Sequence, residues 1–423
     1  MSNTITISQA CTILDNLRVP LNSEQRATMK GAIPYYGANG IQGHINDYLF
    51  DEDLILLAED GGYFDEYQSR PIAYNISGKS WVNNHAHVLR VNSNFCFSYV
   101  FYCLQHKNIM PFIKGGTRSK LNKSELLEIT IWNPPLATQQ KIAMVLSTID
   151  NQIEQSQELI EKYTAIKQGL MADLFSRGID VKTKKLRPSY QQEPNAYHKT
   201  ELGCIPKGWQ LKPIEHYAGV IDPNPSHRNP IYITDGFPFI STVEFVEGDN
   251  IEKNTNRRVD ESTVIEQEKR CNFNENSIVF SRKGTIGEIR FLPTDIRFAL
   301  LDSLCVINPK HINENFLFHI LKSEYVLSQI RHMTMGQALP QMSIGRVRDI
   351  LLAVPEDSTE QRLIGDKIEN LSELIRVEIN ISKKLKAQKK GLMQDLLTGK
   401  KSVDSLPDSI LAPVSSPEEI AQK

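Results

Sequence analysis

The chain has 423 residues, 40 % apolar and 23 % charged, with a formal charge of −2, so it can bury ordinary cores in two to four domains but carries no overall basic footprint. Any nucleic-acid contact must come from local Lys/Arg clusters or from partner subunits. No run approaches the ~18 apolar residues of a membrane span, the start MSNTITISQA has neither a basic end nor an apolar core, and Cys11, Cys96, Cys103, Cys204, Cys271 and Cys305 show no CxxC or zinc spacing. Free thiols in a reducing cytoplasm are expected, with no membrane association.

In chain order, residues 1 to 134 hold short apolar runs bounded by Gly, Asn, Asp and Pro, such as AIPYYGANG and YLFDEDLILLAEDGG, the pattern of an α+β domain with exposed loops. Pro134 and Pro135 suit a strand that ends just before a helix start. A long helix is expected over 135 to 178, closing at Gly178. Residues 179 to 204 read as a polar connector. A second α+β domain follows over 205 to 355, with FPFIST and NSIVFSRKGTIGEIRFLP, then Pro355 and a second long helix over 356 to 399, closing at Gly399. The tail, 400 to 423, with SLPDS and PVSSPEE, reads as disordered.

The chain repeats itself. KQGLMADLF at 167 to 175 recurs as KKGLMQDLL at 389 to 397, and residues 139 to 174 align without a gap to 361 to 396. Upstream the register slips by one residue, and Gly115, Leu121, Ile129 and Pro134 match Gly336, Met342, Ile350 and Pro355; FDEDLILLA at 50 to 58 matches FNENSIVFS at 273 to 281 more weakly. Within the aligned unit an a/d seam runs through Ile142, Leu146, Ile149, Ile153, Ile160, Tyr163, Leu170 and Leu174, broken at Ser156 and Lys167. The second copy carries Ile364, Ile368, Leu371, Ile375, Leu385, Leu392 and Leu396. Each helix would be about 55 to 60 Å long, and neither can bury its seam alone. The simplest partner for one is the other, in preference to two helices packed on separate domain cores.

The layout and certain words resemble the specificity (S) subunit of Type I restriction-modification enzymes over nearly the whole chain. The carrying residues are the helix starts PPLATQQKIA and PEDSTEQRLIG, the two GLMxDL endings, the entry phrase TELGCIPKGWQ and the duplicated order. The first domain lacks the PKGW-type entry found at Pro206 to Trp209. The resemblance implies two α+β target recognition domains, each reading half of a split site in double-stranded DNA. Two long helices would pair as an antiparallel coiled coil in a pseudo-twofold internal repeat, and the chain itself would be non-catalytic. It further implies two modification subunits that methylate adenine N6, and ATP-dependent restriction subunits. S-adenosylmethionine, ATP and Mg would bind those partners, with no cofactor or metal in this chain. The alternative is a coiled-coil scaffold that binds proteins.

Catalytic readings of single motifs are weaker. NPPL at 133 to 136 echoes the Asn-Pro-Pro-aromatic motif of adenine methyltransferases, but Leu136 replaces the stacking residue and no Gly-rich cofactor loop follows a strand. SGKS at 77 to 80 ends like a phosphate loop, yet Ala73 stands where that loop needs Gly. His85 and His87 could share a strand face but have no third ligand nearby in sequence. What remains is recognition by cations, amides and small polar groups on rigid loops. In the first domain the candidates are Tyr36, Asn39, Gln42, Lys79, Asn83, Asn84, His85, Arg118 and Lys120; in the second they are Ser241, Arg282, Lys283, Thr285, Arg290 and Arg331. In RKGT, two cations stand beside glycines, a pattern suited to phosphate. The run KKLKAQKK at 383 to 390 reads as a solvated helix face.

Overall fold

A computed structural model describes residues 3–114, 119–226 and 230–406. The two long helices are Leu136–Arg177 and Ser358–Leu396. The chain forms two compact units, Met1–Gln155 with Ser382–Lys423, and Ser156–Ile381, and both cuts fall inside the long helices. Each unit therefore holds one α+β domain together with half of each helix, rather than leaving the helices as separate segments.

In the first unit a four-stranded antiparallel sheet runs in the order Cys11–Ile13, Ala86–Val91, Leu54–Ala58, Ala73–Ile76. Leu54–Ala58 is buried at every position, as its unbroken apolar run requires of a central strand. A second sheet is built around Lys30–Gly37 and Lys79–Val82, which pair in parallel through Tyr35–Trp81 and Tyr36–Val82. The second unit repeats this plan with the strands Ala218–Ile221, Leu304–Pro309, Ile278–Ser281 and Ile289–Phe291, and with the parallel pairs Phe239–Ala299 and Ile240–Leu300. Each domain closes on a two-stranded pair, Thr4–Thr6 with Thr130–Trp132 and Trp209–Pro213 with Leu351–Pro355. The first domain thus has the entry strand that its sequence lacks a phrase for. The connector is more ordered than its polarity suggests, since Tyr197–Thr200 and Gly203–Pro206 form a hairpin. The tail begins ordered as well: Val403–Ser405 is a 3-10 turn with Val403 buried. Residues 407 to 423 lie outside the described residues.

The helix starts are held by the repeated glutamine of ATQQ and STEQ. Gln139 donates to Asn133 Oδ1 at 3.2 Å and Pro134 O at 3.0 Å, and accepts from Cys96 N. Gln361 donates to Pro355 O at 2.8 Å and accepts from Asn313 N. Asn133 of NPPL is therefore bound within the fold. The buried Glu360 accepts from Trp209 Nε1, Ile179 N and the Arg187 guanidinium, which ties the entry phrase to the second helix. The stops are Gly178 (φ +69°) and Gly399 (φ +69°), both left-handed; a Cβ at Gly178 would lie 2.3 Å from Glu360 Oε1, and one at Gly399 would meet the Trp132 ring. Only glycine fits either place.

The helices run antiparallel within each unit. In the second unit Ser156 Oγ donates to Glu378 Oε2 at 2.8 Å; in the first, Lys389 Nζ meets Asp150 Oδ1 at 2.7 Å. The polar break at Ser156 is therefore matched by Glu378 in the other helix, and Lys389 by Asp150 beside the first seam. Most seam positions are buried, with Ile153, Tyr163, Leu170, Leu371 and Ile375 partly so. The helices also dock on the domains: Leu174 and Phe175 pack into the second core, Phe175 against Phe316, and Tyr102 Oη donates to Asp150 in the first unit. Pairing and docking coexist because opposite halves of one helix meet different cores. In KKLKAQKK, Lys383, Lys384, Lys386 and Lys390 are exposed, whereas Lys389 turns inward. No helix of the described residues is long and apolar enough to cross a membrane, and the six cysteines are free.

The other break, Lys167, is set among Lys322, Asp249, Glu369 and Arg376, close to the fully buried His319, whose Nε2 is 2.8 Å from Glu369 Oε2. Burial lowers its ammonium from an ordinary 10.5 to about 8. Between those values the unfolded chain binds more protons than the folded one, so stability rises with pH across that window. Lys167→Met removes the buried charge. It is expected to stabilise the second unit by about 1 to 3 kcal/mol at pH 7, with the advantage shrinking as pH climbs from 8 to 10, read from thermal unfolding.

Candidate nucleic-acid interface

Both domains build the same platform where the central strand ends. In the first, Leu121 N donates to Glu59 O at 2.8 Å, Glu59 N donates to His85 O at 2.9 Å, and Asp60 bridges Lys120. In the second, Met342 N donates to Arg282 O at 2.8 Å, Arg282 N donates to Ser303 O at 2.8 Å, and Lys283 bridges Gln341. The sheet registers carry Glu59 onto Arg282, Asp60 onto Lys283, His85 onto Ser303 and Lys120 onto Gln341. The backbone is shared and the side chains are not.

An aspartate below each platform also recurs, as Asp15 and Asp222. Asp15 Oδ1 accepts from Val88 N at 3.0 Å, and its Oδ2 is 2.6 Å from His87 Nδ1. His87 is 1 % exposed, and its Nε2 lies 2.8 Å from Leu121 O. Burial opposes ionisation of Asp15, but the His87 contact, the Val88 amide and Arg18 outweigh it and hold the carboxyl below its ordinary value. Glu59 is held low in the same sense: burial raises it, while hydrogen bonds from Arg18 and Lys120 lower it further. Asp15, Glu59 and His87 bring ligand atoms within 4.8 Å of one another. Both ring nitrogens of His87 are already engaged, and the Arg18 guanidinium, 2.7 Å from Glu59 Oε2, supplies the positive charge there. The set is an internal ion-pair cluster rather than a fit for a metal.

The first platform gathers several of the expected residues. Asn39 donates to Gly61 O at 2.9 Å, His85 Nδ1 lies 2.8 Å from Asp60 Oδ1, and Asn83 donates to Gln42 Oε1 at 3.1 Å. Lys120 pairs with Glu59 at 3.1 Å, and Asn84 is exposed beside His85. Asn83 itself is buried and also accepts from His85 N, so it shapes the loop from within. Tyr36 packs on Tyr74, and its hydroxyl is raised by burial. Lys79 sits at the other end of its strand, over the Tyr48 ring. In SGKS, Ser77 and Gly78 link two strands and Lys79 and Ser80 open the second, so a strand rather than a helix follows. Arg118 lies outside the described residues.

In the second domain the structure redistributes the expected set. Ser241 is 2 % exposed and caps a turn with Glu244, to which Arg257 is also bound. Arg290, 8 % exposed, lies against Phe245 with Glu288 and Asp249 nearby. Arg282 is 5 % exposed and pairs with Asp222 at 3.1 Å. These side chains hold the domain together, as buried cations must when paired. Arg331 is exposed but paired with Glu324 on its own helix. Lys283, half-buried, reaches Asp302 at 2.6 Å, and Thr285 is exposed.

Around Lys283 an open recess of about 630 Å³ is lined by Gln337, Leu339, Gln341, Ser343 and Arg346. Residue-type reasoning passed over these. The repeat could have found them, since it carries Arg118 and Lys120 onto Leu339 and Gln341. The recess contains cations, amides and aliphatic carbon, a set suited to phosphates and base edges.

A sequence profile of the Type I restriction modification DNA specificity domain matches residues 2–163 and 228–387. The Type I restriction enzyme MjaIX specificity subunit of Methanocaldococcus jannaschii is 26 % identical over 318 residues, 73 % of this chain and 70 % of that protein. S.HindORF215P of Haemophilus influenzae is 36 % identical over 143 residues, 34 % of this chain and 36 % of its own length. The crystal structure of the Type I restriction-modification S subunit from M. genitalium shares the fold, with a TM-score of 0.63 at 15 % identity, over 93 % of this chain and 96 % of that one.

The buried and half-buried cations of RKGT should separate experimentally. Asp222→Ala leaves the Arg282 charge buried without its partner and is expected to cost roughly 3 to 5 kcal/mol. Lys283→Ala should change stability by less than about 1 kcal/mol. Denaturant unfolding of the two variants beside the parent chain checks both.

Proposed function

Since the chain belongs to the Type I restriction modification DNA specificity family, we propose that each platform reads one half of a bipartite site in double-stranded DNA. It is the DNA specificity subunit, the non-catalytic part, of a Type I restriction-modification complex. The observation that supports the division of labour is the recurrent hydrogen bond, Leu121 N to Glu59 O and Met342 N to Arg282 O. It presents unlike side chains from one backbone frame, as two readers of unlike half-sites would need.

In this reading the first half-site meets Asn39, Gln42, His85 and Lys120, and the second meets Lys283, Gln341 and Arg346. Two modification subunits dock on the chain, carry S-adenosylmethionine and methylate adenine N6 in each half-site. Restriction subunits that use ATP and Mg join the same assembly, which works in the cytoplasm. A protein-binding scaffold would share the helices but would have no use for two loop platforms of contrasting charge.

Phosphate contacts release counterions, so each one lost flattens the salt dependence of binding. Replacing Lys283 and Arg346 together by alanine is expected to reduce the slope of log K against log salt by about 1.8 if both touch phosphate. Lost base discrimination would be confined to one half-site. Fluorescence anisotropy across a salt series measures this, and an unchanged slope and affinity would remove the recess from the interface.

The long helices give a second test. Both junctions between the compact units, after Gln155 and after Ile381, lie within them. Inserting one heptad at each junction adds about 10 Å of helix while keeping the seam within about 20° of its phase. The unspecified spacer of the DNA site should lengthen by up to about three base pairs at 3.4 Å each, with both half-sequences retained. Mapping methylated adenines by long-read sequencing reads the outcome. A working complex with an unaltered spacer would refute the helices as the spacing element.

A further inference from the structure

The exposed apolar side chains beside the second platform are out of character with their surroundings. Leu339 is 86 % and Met335 73 % exposed, whereas Met342, the other apolar side chain of this segment at the recess, is buried, and the remaining lining groups are cations, amides and a hydroxyl. Single exposed apolar residues are common and need no explanation. Leu339 differs because its segment is pinned on both sides. Gln341 N donates to Gln337 Oε1 at 2.8 Å, Met342 N donates to Arg282 O at 2.8 Å, and Arg346 Nη1 donates to Met333 O at 2.8 Å. The leucine is thus held out rather than left loose. The Gln341 side chain is exposed on the same recess, and its backbone bridges Lys283.

We propose that Leu339 and Gln341 together read one A·T pair in the second half-site from the major groove. The proposal rests on the second domain being a DNA reader and adds which chemistry it selects there. Adenine presents N7 and the N6 amino group, which a carboxamide meets with two hydrogen bonds; its partner thymine presents a C5 methyl, which only an apolar side chain rewards. Gln341 offers the first and Leu339 the second, two residues apart on one pinned loop. The flanking Lys283 and Arg346 neutralise phosphate, so the aliphatic tip is pressed towards the groove instead of into water. In the aligned repeat Arg118 stands at this position of the sequence. Arginine there would select a different base edge, guanine N7 and O6.

The test uses the modification complex and its own site, identified beforehand from methylated adenines. Each thymine of the second half-site is replaced in turn by deoxyuridine, which removes only the C5 methyl. At one position the parent complex should bind about fourfold more weakly, the worth of one buried methyl group. Leu339→Ala should bind the thymine duplex more weakly by a similar factor and be indifferent to deoxyuridine at that position. Gln341→Ala should lose about tenfold in discrimination at the same base pair, with the first half-site unaffected. Both side chains are exposed, so neither change threatens the fold. Tolerance of deoxyuridine at every thymine, or a Leu339→Ala complex that keeps the parent's sensitivity, would overturn the pair. So would variants that bind DNA normally but assemble poorly, because the surface would then face a protein subunit. A parent complex that selects no site would refute the DNA-reading assignment itself, and the pair with it.

Discussion

A helix of 42 residues carrying an apolar stripe from Ile142 to Leu174 presents more seam than one α+β domain of this size can cover, and this constraint shapes the chain. Burial of the stripe stabilises the helix far more than its intrinsic propensity does. The chain meets the constraint by making the helix twice. In each unit the half-helix from one copy lies beside the opposite half of the other, and polar groups in or beside the seam find partners across it: Ser156 with Glu378 in one unit, Lys389 with Asp150 in the other. Misplaced register would bury Glu378 or Lys389 unpaired, at a cost of several kcal/mol. These breaks in the seam therefore act as register marks.

The same economy governs the domains. Their recurrent parts are those that set backbone geometry: the central buried strand, the parallel pair beside it, the aspartate at 15 and 222, and the amide-to-carbonyl bond that closes the platform. The parts that differ are the side chains projecting from that frame. Glu59 and Asp60 stand where Arg282 and Lys283 stand, so the sign of the charge is reversed without moving the backbone. Arg282 is itself absorbed by Asp222, as Glu59 is by Arg18 and Lys120. In both domains the first platform residue is spent on holding the loop, and the next is paired in turn, Asp60 with His85 and Lys283 with Asp302.

The helices, their stops and the duplicated order were legible from the sequence because periodicity and glycine positions are local properties. Gly178 and Gly399 mark the ends where the structure puts them, and the seam residues Ile142, Leu146, Ile149, Ile364 and Ile368 are buried. The loop residues were less legible, because residue type does not report burial. Ser241, Arg282 and Arg290 have the chemistry of DNA contacts, yet Ser241 is turned inward by Glu244 three residues on, and Arg282 and Arg290 by Asp222 and Asp249, which are distant in sequence. Leu339 and Gln341, the pair proposed as readers, escape residue-type reasoning for the opposite reason: nothing local distinguishes an exposed leucine from a core one. Alignment of the two halves was the available signal, since it transfers position rather than chemistry.

A frame that fixes position while leaving chemistry free has a physical consequence for how specificity changes. At a core position such as Leu56 or Val279, both fully buried, a substitution must preserve volume, because a cavity or an overpacked side chain costs kilocalories. At 339 and 341 the backbone is held by Arg282 O and by Gln337, and the side chains meet only solvent in the free protein. Substitution there leaves stability nearly untouched, whereas making or removing a hydrogen-bonded match to one base edge shifts discrimination by about 1 to 3 kcal/mol. On the proposed reading of Leu339 and Gln341, stability and specificity are carried by different residues of one loop, a few positions apart. The half-site read by a domain of this kind can change through its loop side chains alone, with the strands beneath unaltered.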